Sequence, residues 1–415
     1  MSRTARKCFA LHPFCLVALL TVLAACQDPS VSQLMVSDLP VPAGAGSKLP
    51  HLSTDEAGRV VMSWVETHGA TATLRHAQLT DAGWTAPGTV ASGDQWFVNW
   101  ADFPSVVPIR NRVWAAHWLT KSQGGGYYAY DVAIATSRDA GATWSPPRTP
   151  HSDGTQTEHG FVALFPWDGH VGAVWLDGRR MAESPTSGTA VRGMTLRGAR
   201  IGPNGDAQDG ELIDELVCDC CQTDAAAGPD GPLVVYRDRT VQEIRDIRLA
   251  RFVEGAWEAD IPVGDDGWEI AGCPVNGPAI DVAGRWVAVA WYTEAEGHPR
   301  VRLSRSTDGG GSFESPIDVS SDRPIGRVDV VQSPQGETFV SWLRRGDDDS
   351  AELRFRSISP DGSLGIETVI ARTSAARPSG FPQMIAGGEG LVFAWTEPGE
   401  NDSRIHTARV ELTGR

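Results

Sequence analysis

A short apolar segment that ends in a large aromatic residue recurs seven times along the 415-residue chain. Successive copies are separated by 54, 57, 61, 55, 51 and 53 residues, a spacing too regular for chance. The seven aromatic residues are Trp64, Trp118, Trp175, Tyr236, Trp291, Trp342 and Trp395. This period restricts the chain to folds that are assembled from one repeated unit.

Each repeat has the same companions in the same order. A short segment that often contains proline, such as Phe103-Pro104, comes before the apolar segment, and an alternating one, such as Val301-Arg302-Leu303, comes after it. Period-two alternation between glycine-rich turns is typical of β-strands. Four strands in a repeat of this length predict a blade of a β-propeller. We therefore expect an all-β propeller of seven four-stranded blades, with six blades as the alternative.

The two ends of the repeat region indicate how the ring closes. The last repeat stops soon after its third strand, at residues 405–412, and a strand-like segment at residues 31–36 belongs to no repeat. An N-terminal strand in the outermost position of the last blade would cover an exposed sheet edge. The sequence predicts this arrangement.

The N-terminus has the pattern of an export signal over residues 1–25: three basic residues, an apolar run at residues 14–23, and small residues before Cys26. The tetrapeptide Leu23-Ala24-Ala25-Cys26 resembles the lipobox of bacterial lipoproteins. The resemblance implies that Cys26 is lipidated and anchors the protein to a membrane. Gln27 after it implies the outer membrane of the cell envelope. Residues 26–45 would then hold the lipidated N-terminus and the closing strand, and residues 46–415 the propeller.

The charge excludes a nucleic-acid partner. The chain has 52 acidic against 36 basic residues, a formal net charge of −16. Removal of the signal takes away three basic and no acidic residues, which leaves 33 − 52 = −19. Neutralising phosphates requires a basic face, which this composition does not supply.

Two turns carry a longer motif, at Ser137-Arg138-Asp139-Ala140-Gly141-Ala142-Thr143-Trp144 and Ser306-Thr307-Asp308-Gly309-Gly310-Gly311-Ser312-Phe313. Both resemble the Asp-box, or bacterial neuraminidase repeat, of sialidase-like propellers. The resemblance implies a structural turn away from that family's catalytic face. Sialidases typically have six blades, an Arg-Ile-Pro motif and a late tyrosine nucleophile. Here the first blade has Lys48-Leu49-Pro50 and the last tyrosine is Tyr292, so the sialidase mechanism does not transfer.

The resemblance implies a protein that recognises acidic glycans or other anionic ligands, and it leaves open whether the protein is an enzyme that hydrolyses them. Two alternatives remain at this point. One is a non-catalytic propeller that binds carbohydrate or protein, and the other is an envelope metal or redox protein. No cofactor is expected.

The loops that join strand 2 to strand 3, and strand 4 to the next blade, lie on one face of a propeller, where function is usually located. The repeat register puts several arginines there, and guanidinium groups bind carboxylate or sulfate in a bidentate manner. The predicted ligand-binding residues are Arg179, Arg237, Arg239, Arg327, Arg344, Trp96, Trp100 and His159. Alternatively, these arginines pair with Asp177, Asp238, Asp246 and Asp329 to link adjacent blades.

Acid–base catalysis requires carboxyl groups whose environments differ. Glu158, Asp177 and Asp238 are the predicted catalytic residues on this face.

Four cysteines remain after the signal and the anchor are set aside: Cys218, Cys220, Cys221 and Cys273. An even number in an exported protein predicts two disulfides. One cysteine of the triplet, for example Cys221, would bridge to Cys273 and tie two blades together, and the other two would pair. The alternative is a thiolate site for a soft ion such as Cu(I), with His159 as a further ligand.

Overall fold

The chain forms an all-β propeller in a computed structural model that describes residues 34–182, 192–202, 210–399 and 402–412. Seven sheets surround a central channel, which confirms the predicted fold class and blade number. Three 3₁₀ helices, Arg179–Ala182, Ala295–Gly297 and Arg377–Ser379, lie in the connections. No helix within these ranges is long and apolar enough to span a membrane.

The strands follow one another blade by blade. An N-terminal strand, β1 (Met35–Leu39), precedes blade 1, which contains β2 (Ser47–Thr54), β3 (Val60–His68), β4 (Thr71–Thr80), the short β5 (Gly83–Trp84) and β6 (Gly88–Gly93). Blade 2 contains β7 (Ser105–Arg110), β8 (Val113–Lys121) and β9 (Tyr130–Ser137). In the position of its fourth strand, Arg148 forms an isolated antiparallel β-bridge with Ile134 of β9. Blade 3 contains β10 (His159–Trp167), β11 (His170–Asp177), β12 (Met194–Ile201) and β13 (Glu211–Val217).

The remaining blades repeat the same order. Blade 4 contains β14 (Asp224–Ala227), β15 (Pro232–Arg237), β16 (Ile247–Val253) and β17 (Ala256–Gly264), and blade 5 contains β18 (Ala279–Ala283), β19 (Trp286–Thr293), β20 (Arg300–Ser306) and β21 (Ile317–Ser320). Blade 6 contains β22 (Pro324–Gln332), β23 (Thr338–Arg345), β24 (Ser350–Ile358) and β25 (Thr368–Ser374). Blade 7 contains β26 (Gln383–Gly387), β27 (Gly390–Glu397) and β28 (Arg404–Glu411).

The repeated aromatic residue lies in the second strand of every blade and packs between blades. Trp64, Trp175, Trp291 and Trp342 are completely buried. Trp175 of β11, for example, belongs to a core cluster with residues of β7, β8 and β9 in the preceding blade. Because each blade buries its faces against its neighbours, an alternating apolar strand recurs once per repeat.

The ring closes through the N-terminal strand. β1 pairs with β28 in antiparallel register, with Val36 opposite Val410, and it is the outermost strand of blade 7. This confirms the predicted closure, but the strand covers Met35–Leu39 and extends beyond the predicted segment at residues 31–36. Residues 31–33, like the predicted signal at residues 1–25 and Cys26, lie outside the described ranges.

Carboxylates in the inner strands join neighbouring blades around the channel. Asp224 accepts hydrogen bonds from Ala225 N at 2.8 Å in its own strand and from Ile280 N at 2.9 Å in blade 5. In the same way Asp281 accepts from blade 6 and Asp329 from blade 7. The channel cavity that Asp224 and Asp329 line has a volume of about 100 Å³.

Inner strands of three blades contain a bulge at the channel mouth. Leu49, Phe161 and Arg327 adopt positive φ angles of 56°, 52° and 55° there, and the strand register shifts around each of them. A left-handed residue other than glycine costs about 1 kcal/mol or more.

The two turns with the longer motif share one hydrogen-bond pattern. The Ser137 hydroxyl donates to Asp139 Oδ1 at 2.8 Å, and Asp139 accepts from the Thr143 backbone and hydroxyl. Ser306 and Asp308 form the corresponding bonds. Both turns follow a third strand and therefore lie on the face opposite the predicted functional one.

Candidate functional site

Two carboxyl groups share one tyrosine hydroxyl on the predicted functional face. Tyr130 is the first residue of β9, Asp102 lies just before β7, and Glu158 lies just before β10. The Tyr130 hydroxyl is 2.9 Å from Asp102 Oδ2 and 2.6 Å from Glu158 Oε1. We call these three residues the proton-sharing trio. Tyr130 and Asp102 are buried, with Asp102 at the wall of the channel cavity, whereas Glu158 is partly exposed and is the most accessible member of the trio.

The contacts of the trio require a shared proton. A tyrosine hydroxyl has one hydrogen, which can be donated to one of the two carboxyl groups. The second short oxygen–oxygen contact is then a hydrogen bond only if the other carboxyl group is protonated and donates to the tyrosine oxygen. The trio therefore holds two protons between three oxygens, and its two carboxyl groups titrate as a coupled pair.

Burial is the main reason that this proton stays bound near neutral pH. It raises the pKa of Asp102 to about 8, against the hydrogen bond from Phe161 N, and the charge of Glu158 contributes in the same direction. Burial also raises the pKa of Glu158 to about 7, together with the charge of Asp219. Perturbed carboxyl groups of this kind on a functional face are candidates for acid–base catalysis.

Asp219 connects the trio to an arginine-lined cavity. Arg239 Nη1 donates to Asp219 Oδ2 at 2.8 Å, and the other side of this guanidinium binds Glu243. Asp219, Arg239, Glu243 and Arg245 line a cavity of about 370 Å³, which is within the range of small-molecule sites. Glu158 and Arg239, both predicted from the sequence, are thus brought to one part of the face.

The structure contains two disulfides, as the cysteine count predicts, and one of them, Cys220–Cys273, lines this cavity. Cys220 bridges to Cys273, and Cys218 bridges to Cys221. One cysteine of the triplet therefore joins blade 5, but it is Cys220 and not Cys221. Arg245 Nη1 donates to Cys218 Sγ at 3.3 Å, which holds the inner disulfide against the cavity.

Arg237 and Arg327 are buried within the propeller. Arg237 is 1% exposed and donates to the backbone carbonyls of Asn276, Arg245 and Tyr292, and burial lowers its pKa to about 10. Arg327 is 5% exposed and donates to Ser379 Oγ and Gly380 O. Their guanidinium groups contact neighbouring blades and do not reach the cavity beside Asp219.

The other predicted residues lie elsewhere on the face. Arg179 forms a bidentate ion pair with Asp177, which belongs to the same blade, so this pair does not link adjacent blades; His159 is completely buried beside it. Arg344 forms an ion pair with Asp322. Burial is the larger cause, and the charge of Asp214 the next, of the rise in the pKa of Asp238 to about 6.

The two predicted aromatic platforms differ in access. Trp96 is 8% exposed and stacks on Trp118. Trp100 lies below the guanidinium of Arg327 and lines an open cavity of about 790 Å³ with Lys48 and Asn99. Trp100 is therefore the better placed of the two for stacking on a ligand.

Sequence reasoning missed three members of this site: Asp102, Tyr130 and Asp219. Asp102 and Tyr130 lie in connections that the repeat register assigns to the functional face, and this is the signal that could have selected them. Their contact joins residues 28 positions apart in the chain, which no local pattern shows.

Comparison with known proteins supports the fold. No protein-family model matches the chain, and no curated protein matches its sequence. A protein of unknown function from Dyadobacter fermentans is similar in structure, with 13% identity, a TM-score of 0.51, and coverage of 91% of this chain and 97% of that one. The polysaccharide lyase Uly1 is similar with 10% identity, a TM-score of 0.50, and coverage of 89% and 90%.

The NanB sialidase of Streptococcus pneumoniae is similar with 7% identity, a TM-score of 0.47, and coverage of 91% of this chain and 94% of that one. At such low identities, the similarities to the Dyadobacter fermentans protein and to Uly1 support the architecture alone, a propeller built of sheets, and nothing about its chemistry.

Proposed function

We propose that this protein binds acidic glycans on its channel face and that Glu158 donates a proton to a bound glycan. The observation that carries the proposal is the proton that Asp102 and Glu158 share through Tyr130, with Glu158 at the accessible end. Near pH 7 the trio retains a proton that it can release to an oxygen atom of the ligand. A polysaccharide lyase is among the proteins of similar fold, which is consistent with this substrate class.

Arg239 is the proposed contact for the acidic group of the glycan. Its side chain is 12% exposed and lies in the cavity next to Asp219, whose charge acts on Glu158. Its donors are paired with Asp219 and Glu243, so the acidic group of the glycan would displace one of these carboxylates to form a charge-assisted pair. Trp100 offers an apolar ring on which a sugar can stack.

Glu158→Gln tests the catalytic part of the proposal. We expect the loss of turnover of sialylated or uronate-containing oligosaccharides by about 10²–10⁴-fold, because the amide cannot donate an acidic proton. Binding measured by calorimetry should change little, and the wild-type rate should fall as pH rises through about 7. Glu389→Gln, on an exposed hairpin of the opposite face, is the control. Binding without turnover in the wild type would overturn the acid role and support the non-catalytic alternative.

Arg239→Gln tests the binding part separately. We expect about 10- to 100-fold weaker binding of the same oligosaccharides, the usual range for a charge-assisted hydrogen bond. An unchanged affinity would place the ligand elsewhere on the face.

We also propose that the mature protein is a lipoprotein of the outer membrane, anchored through Cys26, and that the two serine–aspartate turns are Asp-boxes. The basic, apolar and small residues of positions 1–25 support the anchor. Cys26→Ser should move the protein from the membrane fraction to the soluble fraction. Retention in the membrane fraction would contradict the anchor.

A further inference from the structure

A cluster of histidine and aspartate side chains lies where blades 2 and 3 meet. Two of its members, Asp131 and His159, directly follow Tyr130 and Glu158 of the trio in the chain. Asp131 follows Tyr130 in β9, His159 opens β10, and His151 and Asp153 come from the connection between the blades. The His159 side chain is 0% exposed and that of His151 is 4% exposed, whereas the Asp131 side chain is 31% exposed. The cluster is therefore closed except at Asp131.

Three donor atoms converge on the open edge of this cluster. The two imidazole rings stack with their centroids 3.9 Å apart. Asp131 Oδ1 is 3.9 Å from His151 Nε2 and 3.6 Å from His159 Nδ1. A metal with bonds of about 2.0–2.2 Å holds neighbouring donor atoms about 3–4 Å apart, so these separations fit one shared ion.

The opposite edges of both rings face a single carboxylate. Asp153 Oδ2 is 3.3 Å from His151 Nδ1 and 3.2 Å from His159 Nε2. Histidines that bind metals usually direct their second ring nitrogen to a carboxylate or a backbone carbonyl, which fixes the ring and its tautomer. Thr155 and Arg179 hold Asp153 in place from its outer side.

The environment of Asp131 leaves one oxygen available. The Ser122 hydroxyl donates to Asp131 Oδ2 at 2.8 Å, which leaves Oδ1 facing the histidines. Among the ion pairs of the described residues, Asp131 has no arginine or lysine partner. Asp153 Oδ2 and His159 Nε2 are buried, and His159 Nε2 also lies 3.8 Å from Asp177 Oδ1, so carboxylates surround this edge of the ring.

We propose that Asp131 Oδ1, His151 Nε2 and His159 Nδ1 bind a divalent first-row transition ion such as Zn²⁺, with an open position toward solvent. Two imidazoles and one carboxylate suit such an ion better than Ca²⁺ or Mg²⁺, which prefer oxygen ligands only. The rings are 11° from parallel and must tilt toward the ion on binding, which replaces two long backbone contacts of 3.4 Å, from Val132 N to His151 Nε2 and from His159 Nδ1 to Tyr130 O. The bound ion would join the first residues of β9 and β10.

The test is metal binding by the purified full-length protein. We expect one equivalent of Zn²⁺ by elemental analysis after dialysis against ZnCl₂, and its removal by a chelator should lower the melting temperature reversibly. In calorimetric titration of the stripped protein with ZnCl₂, His151→Ala and Asp131→Asn should each weaken binding by about 100-fold or more, whereas His298→Ala, an exposed histidine of blade 5, should not. Circular dichroism checks folding, and the partly exposed Asp131 gives a variant that removes little buried volume.

A second measurement distinguishes this site from the cysteines. Co²⁺ substituted for Zn²⁺ should give visible d–d bands without the near-ultraviolet charge-transfer band of a thiolate. The double variant Cys220→Ser and Cys273→Ser should retain one equivalent of Zn²⁺. Loss of the metal in the cysteine variant, equal affinity of His151→Ala and wild type, or stoichiometric Ca²⁺ without Zn²⁺ would each overturn the proposal.

Discussion

Asp102 shows how the burial of one carboxyl group links the stability of the fold to pH. The carboxyl group is 2% exposed, and Phe161 N and the Tyr130 hydroxyl are its hydrogen-bond partners. Its pKa is raised from 3.8 to about 8, so the folded state binds the proton more tightly than the unfolded state. The contribution to stability is therefore complete below pH 4 and is lost as pH rises toward 8.

Asp102→Asn should remove this pH dependence. We expect the wild type to lose about 2 kcal/mol or more of unfolding free energy between about pH 5 and pH 9 that the variant does not lose. Urea unfolding at several pH values measures the difference. Parallel curves for the two proteins would show that the proton is not held at Asp102.

Arg237 and Arg344 differ in what their guanidinium groups contact, and the comparison separates structural from surface arginines. Arg237→Met should lower the unfolding free energy by about 3 kcal/mol or more, because three buried carbonyls lose their donor. Arg344→Met should change it by about 1 kcal/mol or less, because its partner Asp322 is 54% exposed. Chemical denaturation measures both, and similar small losses would contradict the structural role of Arg237.

The sequence predicts which side chains lie on the functional face, but it does not predict which residues they contact. The repeat register places Glu158, Arg237 and Arg239 alike on the functional face. The structure shows that Arg237 is buried there, through its hydrogen bonds to Asn276 and Tyr292, which lie 39 and 55 residues away in the chain. Burial depends on the neighbouring blade, and the pattern within one repeat does not contain it.

At the scale of elements, β1 is the strand on which closure of the ring depends. Val36 and Leu39 pack against two core clusters of blades 1, 6 and 7, and five residues of β1 pair with β28. Its existence was predictable because blade 7 lacked a fourth strand. Its bounds were not, because the residues that receive Val36 and Leu39 come from distant parts of the chain.

Deletion of β1 should therefore expose the edge of β28. We expect a loss of about 2 kcal/mol or more of unfolding free energy, from the apolar side chains that lose their contacts, and a tendency to self-associate. Thermal unfolding and size-exclusion chromatography measure these effects. Met35→Ala is the matched control because Met35 is 64% exposed, and it should behave as the wild type. A deletion variant as stable as the wild type would show that β28 needs no partner.

The whole molecule is the level at which the sequence was most informative. Seven aromatic residues at nearly constant spacing predict seven blades, and each of them lies in the second strand of a blade. The spacing does not show how the blades are held together around the channel. That depends on Asp224, Asp281 and Asp329, each of which binds a backbone amide 51 to 56 residues further along the chain.

The pairing of β1 with β28 determines when the ring can close during synthesis. Leu39 accepts a hydrogen bond from Thr407, 368 residues later in the chain. At about 5–20 residues per second, β1 waits roughly 20 to 70 s after it is made before its partner strand exists. Throughout that interval Val36 and Leu39 have no β28 to pack against, so the edge of β1 and its apolar side chains stay uncovered during synthesis. The ring can therefore close only after β28 has been synthesised.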